Sequence, residues 1–395
     1  MGQRSFISGM GIISAIGNDV ESNLSSLISK QSGIENPKLL GTQHKDFLCG
    51  EVKLSNDQLA QELDADPTHS RTLLLGMKAA LETIDNANLS KEYLESTLFF
   101  NGTSVGGMDK SEWAYKGLTD GTTNKFAREF NTHDCGEITR LIASQIGLNS
   151  NVYALSTACS SAANAILLAG RFIRAGIADR IIAGGSDALS VFTLNGFNSL
   201  RILDPDWCKP FDANRNGLNL GEGAAYLLIE SERSLAKRSA EPIAELVGFG
   251  NANDAYHQTA SSPEGKGATM AITKAIESLS TELNIDYVNT HGTGTVNNDE
   301  SESNALKKVF GPNSPPYSST KAYTGHALAS AGSLEAVFSI LSIKNQTVFP
   351  ALNVSKPMDI LPNLVLEPEK KKLRQVLSNS FGFGGNCTSL IFQSV

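Results

Sequence analysis

The chain has 395 residues, 41% of them hydrophobic and 19% charged, with a formal net charge of −8. That length and balance suit a large globular core, and the negative charge argues against general affinity for nucleic acid or an anionic membrane. Five cysteines, Cys49, Cys135, Cys159, Cys208 and Cys387, are scattered without a CxxC pair or metal-ligand spacing. This usage points to reduced thiols and a cytoplasmic setting. No apolar run approaches the ~18 residues that a membrane helix needs, and the N-terminus reads as no signal peptide.

In chain order, Ser5–Gly11 reads as a strand and Val20–Ser29 as a helix. Residues 36–70 are polar and lack a clear period before a helix at Arg71–Ala87. Thr97–Asn101 is a strand, and residues 108–135, rich in Thr, Asn and Gly, read as an excursion over the surface or an interface. A helix at Gly136–Ile146 leads to the strand Val152–Leu155, then to Ser156-Thr157-Ala158-Cys159 and a small-residue helix running to about Ala175. Arg180–Gly185 and Gly221–Glu230 are strands that close a first half. After a charged helix at Ser231–Ser239, the alternation repeats. Strands are expected at Pro242–Gly250, Tyr287–Thr290, near Tyr317, Val376–Ser380 and Thr388–Phe392. Helices are expected at Ala268–Leu279, Glu300–Phe310 and Leu334–Ser342. Alternating βα units in two similar halves predict a layered α/β fold, with boundaries at 1–240 and 241–395.

Three positions stand out. Cys159 lies on a sharp strand-to-helix turn, where the unpaired N–H groups and the helix dipole favour a thiolate. His291 lies in VNTHGTGT and His326 in STKAYTGHALASAG, each beside glycine at a strand end. One such histidine would ordinarily be a core or loop residue. Two in matching contexts, with a cysteine in a third, indicate a site assembled from both halves, since Cys159 and His291 are 132 residues apart.

The segments TACSS, HGTGT, STKAYTGHALASAG and NSFGFGG, in this order, resemble the β-ketoacyl-[acyl-carrier-protein] synthases of the KAS II type, in the thiolase superfamily. The resemblance covers nearly the whole chain. It implies a thiolase-like α/β fold with duplicated halves in five αβαβα layers. It also implies a homodimer, or a heterodimer with a second ketosynthase-like subunit. The activity implied is decarboxylative condensation of an acyl chain held on Cys159 with a malonyl group, both delivered by acyl carrier protein, with no cofactor beyond the carrier's phosphopantetheine. By the same resemblance His291 and His326 bind the malonyl thioester carbonyl. The backbone of Cys159 and Phe383 forms the oxyanion hole. Lys321, paired with a carboxylate, sets the charge of the site, and Asp299 and Glu302 support that network. Thr293 and Thr295 bind the phosphopantetheine arm, while Phe381 and Phe383 gate the entrance.

The chain also departs from the family pattern. Asn386-Cys387 stands where Thr-Asn is common, which leaves the local hydrogen bonding open. His257 is expected at the surface or in a structural role, and Ala260 replaces a frequent Ser. His133, Asp134 and Cys135 fall where the acyl pocket is usually apolar, and are expected as polar pocket or interface residues. With the short connector LDPDWCKPFD, they make the chain resemble ketosynthases of aryl-polyene and flexirubin pigment clusters, with a preference for unsaturated or aryl-headed chains. Two other readings compete. A non-catalytic chain-length partner would lack Cys159. A degradative thiolase would use a second cysteine, for which Cys387 is the candidate.

Overall fold

The computed structural model describes residues 2–121, 130–148 and 151–395. Ser5–Ser14 is buried at every position, as a strand covered on both faces must be. It sits near the middle of a ten-stranded sheet whose strands are numbered here in chain order. They are β1 (Ser5–Ser14), β2 (Leu98–Gly102), β3 (Val152–Leu155), β4 (Arg180–Asp187), β5 (Gly223–Ser231), β6 (Ala244–Asn253), β7 (Ile285–Asn289), β8 (Tyr317–Ser318), β9 (Gln375–Phe381) and β10 (Asn386–Gln393). The spatial order is β8-β7-β9-β10-β6-β1-β5-β4-β2-β3.

This order is one pattern used twice. Read from each edge inward, both sets of five run third, second, fourth, fifth, first. The first three are parallel to one another and the last two are added antiparallel, in β3-β2-β4-β5-β1 and in β8-β7-β9-β10-β6 alike. The sets join through two residue pairs of β1 and β6, Phe6 with Glu245 and Ile7 with Ala244.

Two helices follow the equivalent third strands, Ser161–Arg174 after β3 and Ala331–Asn345 after β8. They pack on each other and against strands of both sets. Their small residues allow a close approach: a Cβ on Gly332 would lie 2.8 Å from the Cβ of Ala163. Outer helices cover the remaining faces, Arg71–Asn86 on the first set and Lys266–Glu277 on the second. The result is the layered αβαβα arrangement of the thiolase-like fold. Ala331–Asn345 is buried from Ala331 through Ile343, and Ser333, Ser339 and Ser342 return their hydroxyls to backbone carbonyls one turn earlier. Glu335 is the single charged residue in that buried stretch.

Among the described residues, three helices of eight or more residues were not apparent from sequence pattern. Asn56–Leu63 lies in the stretch without a clear period, started by a capping box between Ser55 and Gln58. Val191–Ser199 is set by a similar box between Ser190 and Thr193. Met108–Thr119 occupies the start of the expected surface excursion, of which residues 122–129 lie outside the described residues. Among the described residues, no helix is long and apolar enough to cross a membrane.

Candidate active site

Cys159 is reached through Ala158, whose φ of 52° is a left-handed conformation that a non-glycine residue adopts only under constraint. This bend ends the β3 segment and starts Ser161–Arg174 two residues after the thiol. The strand-end segment Gly382–Gly385 closes over it. A Cβ on Gly382 would lie 2.7 Å from the Thr157 carbonyl oxygen, so only glycine permits the approach. The N–H groups of Phe383 and of Cys159 itself both point at the sulfur. Both donors favour negative charge at the thiol.

The expected resting thiolate is not what the site favours. Burial pushes the Cys159 thiol up to about 11, against the two N–H donors and the Lys321 ammonium, which pull the other way. The helix start is real, but the desolvation it sits in outweighs it, and burial is invisible in a sequence.

His291 and His326 face one another, ring centroids 5.3 Å apart and nearly perpendicular, each 2% exposed. Hydrogen bonds select the tautomer of both. The N–H of Leu328 donates to Nδ1 of His326 at 3.1 Å. The Lys321 ammonium lies 3.2 Å from Nδ1 of His291, donates to the His291 carbonyl at 2.5 Å, and donates to Glu335. With Nδ1 accepting in each ring, the proton sits on Nε2, so each imidazole is left with one free donor. Burial first, then Lys321, lowers His326 to about 3 and His291 well below its ordinary range. Both rings are therefore neutral donors.

The supporting carboxylates are arranged differently from the expectation. The partner of Lys321 is Glu335, which sequence reasoning did not name; a lone Glu in an otherwise apolar helical run was the available signal. Glu302 instead accepts the N–H groups of His291 at 3.0 Å and Gly292 at 2.8 Å, and Asn379 at 3.1 Å. Asp299 accepts from Phe211 at 2.9 Å and Gly294 at 3.2 Å and pairs with Arg215. These two hold the backbone of the His291 loop. Burial pushes Glu302 up to about 7.

Cys159, His291, Thr293, Thr295, His326, Phe381 and Phe383 all line one cavity of about 260 Å³. Thr293 and Thr295 share a hydroxyl contact of 2.9 Å. Phe381 lies 5.8 Å from the His291 ring, and Phe383 stacks on Phe197, a wall residue not foreseen. Ala260 also lines the cavity, while His257 is exposed. His133, Asp134 and Cys135 do not line this cavity. Asp134 is the N-cap of Cys135–Gln145, accepting from the N–H groups of Gly136 and Glu137, and His133 contacts Ser111. The departure at Asn386 also resolves: its side-chain oxygen accepts from Ser160, Asn164 and Asn251. Cys387 is buried beside Gly267 and outside the cavity lining.

Residues 4–234 match the N-terminal domain of β-ketoacyl synthases and residues 243–355 match their C-terminal domain. The chain is 33% identical over 411 residues to 3-oxoacyl-[acyl-carrier-protein] synthase 2 of Staphylococcus aureus strain COL, covering 99% of this chain and 98% of that protein. The ishigamide ketosynthase/chain length factor superposes with a TM-score of 0.94 at 27% identity, covering all of both chains. The ketosynthase ApeO in complex with its chain length factor ApeC, from Xenorhabdus doucetiae, gives 0.86 at 30% identity, covering 100% of this chain and 98% of that one. The matches span both halves and the full length, and the chain belongs to the β-ketoacyl synthase family.

Proposed function

We propose that this protein is a 3-oxoacyl-[acyl-carrier-protein] synthase that extends fatty-acid or polyketide chains by decarboxylative Claisen condensation. The observation that carries the reading is the tautomer pair: two neutral imidazoles, each with a free Nε2–H, in the same cavity as a cysteine under two backbone donors.

In the first step the Cys159 sulfur attacks the acyl thioester of a carrier protein. A carbon–sulfur bond forms to Cys159, the bond to phosphopantetheine breaks, and the thiol proton ends on the departing carrier thiol. The oxyanion of the tetrahedral intermediate lies against the N–H groups of Cys159 and Phe383. In the second step a malonyl thioester places its carbonyl between the Nε2–H groups of His291 and His326. The bond to the carboxylate breaks, CO₂ leaves, and its electron pair becomes the enolate that the two donors stabilise. The enolate carbon then attacks the Cys159 thioester, the new carbon–carbon bond forms, and the cysteine sulfur leaves and takes up a proton. Thr293 and Thr295, at the cavity wall, suit the phosphopantetheine arm, and Phe381 and Phe383 suit a gate on a glycine hinge.

The reading divides the chain at 1–240, which carries the nucleophile, and 241–395, which carries the imidazoles. Acyl carrier protein is the delivering partner, and a second ketosynthase-like chain, identical or not, is the subunit partner. Five free cysteines suit a reducing cytoplasm. The chain-length-partner alternative is disfavoured by Cys159, and the thiolase alternative by Cys387 lying outside the cavity lining.

The test is mass spectrometry of Cys159 after incubation with a panel of acyl carrier proteins, with condensation followed alongside. Cys159→Ala is expected to abolish both. Condensation by that variant would overturn the assignment.

A further inference from the structure

Asp187 ends β4 and is completely buried. Its carboxylate accepts from Thr103 Oγ1 at 2.5 Å, Ser104 N–H at 3.1 Å, Ser104 Oγ at 2.7 Å, Val105 N–H at 3.4 Å and Ala329 N–H at 2.9 Å. These donors are uncharged, and they come from loops of the two opposite halves of the chain. Such a group is costly to bury, so its partners mark what it holds. On one side it fixes the loop after β2. On the other it fixes the turn that follows His326.

That turn is strained. Leu328 has a φ of 51°, a left-handed conformation in which a branched residue is disfavoured. The conformation has a use: it aims the Leu328 N–H at Nδ1 of His326. The neighbouring N–H, that of Ala329, is the one anchored to Asp187. The backbone of His326 is held separately, its N–H on the Asn219 carbonyl at 2.8 Å and its own carbonyl on the Gly221 N–H at 2.9 Å. The ring's tautomer therefore depends on Leu328, and Leu328 depends on what holds Ala329.

We propose that Asp187 is a positioning residue: by anchoring Ala329 it holds the left-handed turn at Leu328 and so keeps the proton of His326 on Nε2. The proposal rests on the reading that His326 is a hydrogen-bond donor to the malonyl thioester.

The test uses the full chain labelled with ¹⁵N-histidine, with His326→Ala identifying the His326 signals. Wild type is expected to show a bare Nδ1 and a protonated Nε2. In Asp187→Ala the signals should move toward the other tautomer, and malonyl-carrier decarboxylation should fall at least tenfold while acyl loading of Cys159 changes less than twofold. Asp187→Asn, which keeps one acceptor for Ala329, should fall between the two and provides the reading if the alanine variant does not fold. The decisive variant is Asp187→Ala/Leu328→Gly. Glycine takes that φ without strain, so the double variant should regain the Nε2 tautomer and at least fivefold of the lost rate. Unchanged His326 signals without Asp187, or no recovery with glycine, would overturn the proposal. Undiminished decarboxylation by His326→Ala would instead overturn the role of His326, and the tautomer signals would still judge Asp187.

Discussion

Glu335 and Lys321 offer a way to separate stability from chemistry. Their side chains are 3% and 2% exposed, and the ammonium has its three donors filled by Glu335 and by two atoms of His291. Glu335→Ala strands that cation, and breaking a buried pair from one side costs about 3–5 kcal/mol, a large part of the ~5–15 kcal/mol that holds a domain folded. Lys321→Met/Glu335→Leu removes both charges and leaves apolar groups of similar size, so most of that loss should be recovered, short of about 1–3 kcal/mol for the buried His291 carbonyl that loses its donor. Its chemistry should not return. Nζ lies 3.2 Å from Nδ1 of His291. Crossing the ring and a hydrogen bond puts the cation about 8 Å from the enolate oxygen, which at an effective dielectric of 20 is about 2 kcal/mol, or roughly 30-fold in rate. Urea unfolding would give the stabilities and malonyl-carrier decarboxylation the rates. A double variant as unstable as Glu335→Ala, or one that decarboxylates at the wild-type rate, would refute this reasoning.

Other outcomes are equally open to measurement. With the Cys159 thiol at about 11, its alkylation by iodoacetamide should climb close to tenfold per pH unit from pH 7 to 9, and a plateau below pH 8 would contradict the burial argument. In Cys159→Gln, whose amide stands in for the acylated cysteine, decarboxylation should persist, and any change in its rate between pH 8 and 5.5 belongs to the buried carboxyls of Glu302 and Glu335, both pushed up to about 7 by burial, and not to the imidazoles. The imidazoles act in the neutral form, and burial keeps them from protonating until far lower pH. Undiminished decarboxylation by Cys159→Gln/His326→Ala would sink their role. Asp134→Ala should cost about 1 kcal/mol of stability through the lost N-cap and leave acyl preference unchanged in a loading competition between polyenoyl and saturated carriers.

What could be read from the residues alone followed a physical rule. Cys159, His291 and His326 were legible because strand ends flanked by glycine and small residues have few uses other than exposing a side chain to a ligand. The alternation of β and α segments announced the layered fold for a similar reason, since period and length survive without tertiary context. Glu335 and Asp187 were not legible, because a carboxylate becomes informative only when its burial and partners are known. Val191–Ser199 was missed because VFTLNGFNS has poor helix propensity, which its capping box and packing override. The charge state of Cys159 was misread because two opposing effects act on it, and only the weaker one leaves a mark in the sequence.

The contact between Gly332 and Ala163 acts as a ruler. Each of the two helices it joins begins just beyond one of the reacting groups, the thiol of Cys159 or the imidazole of His326, at the same place in two repeats of one topology. The gap that a substrate must fit is therefore gauged by backbone against backbone, with no long side chain free to give. Variation that retunes which acyl chain is accepted has the outer walls of the cavity to work with, while the span between nucleophile and imidazole stays locked to the thickness of a glycine.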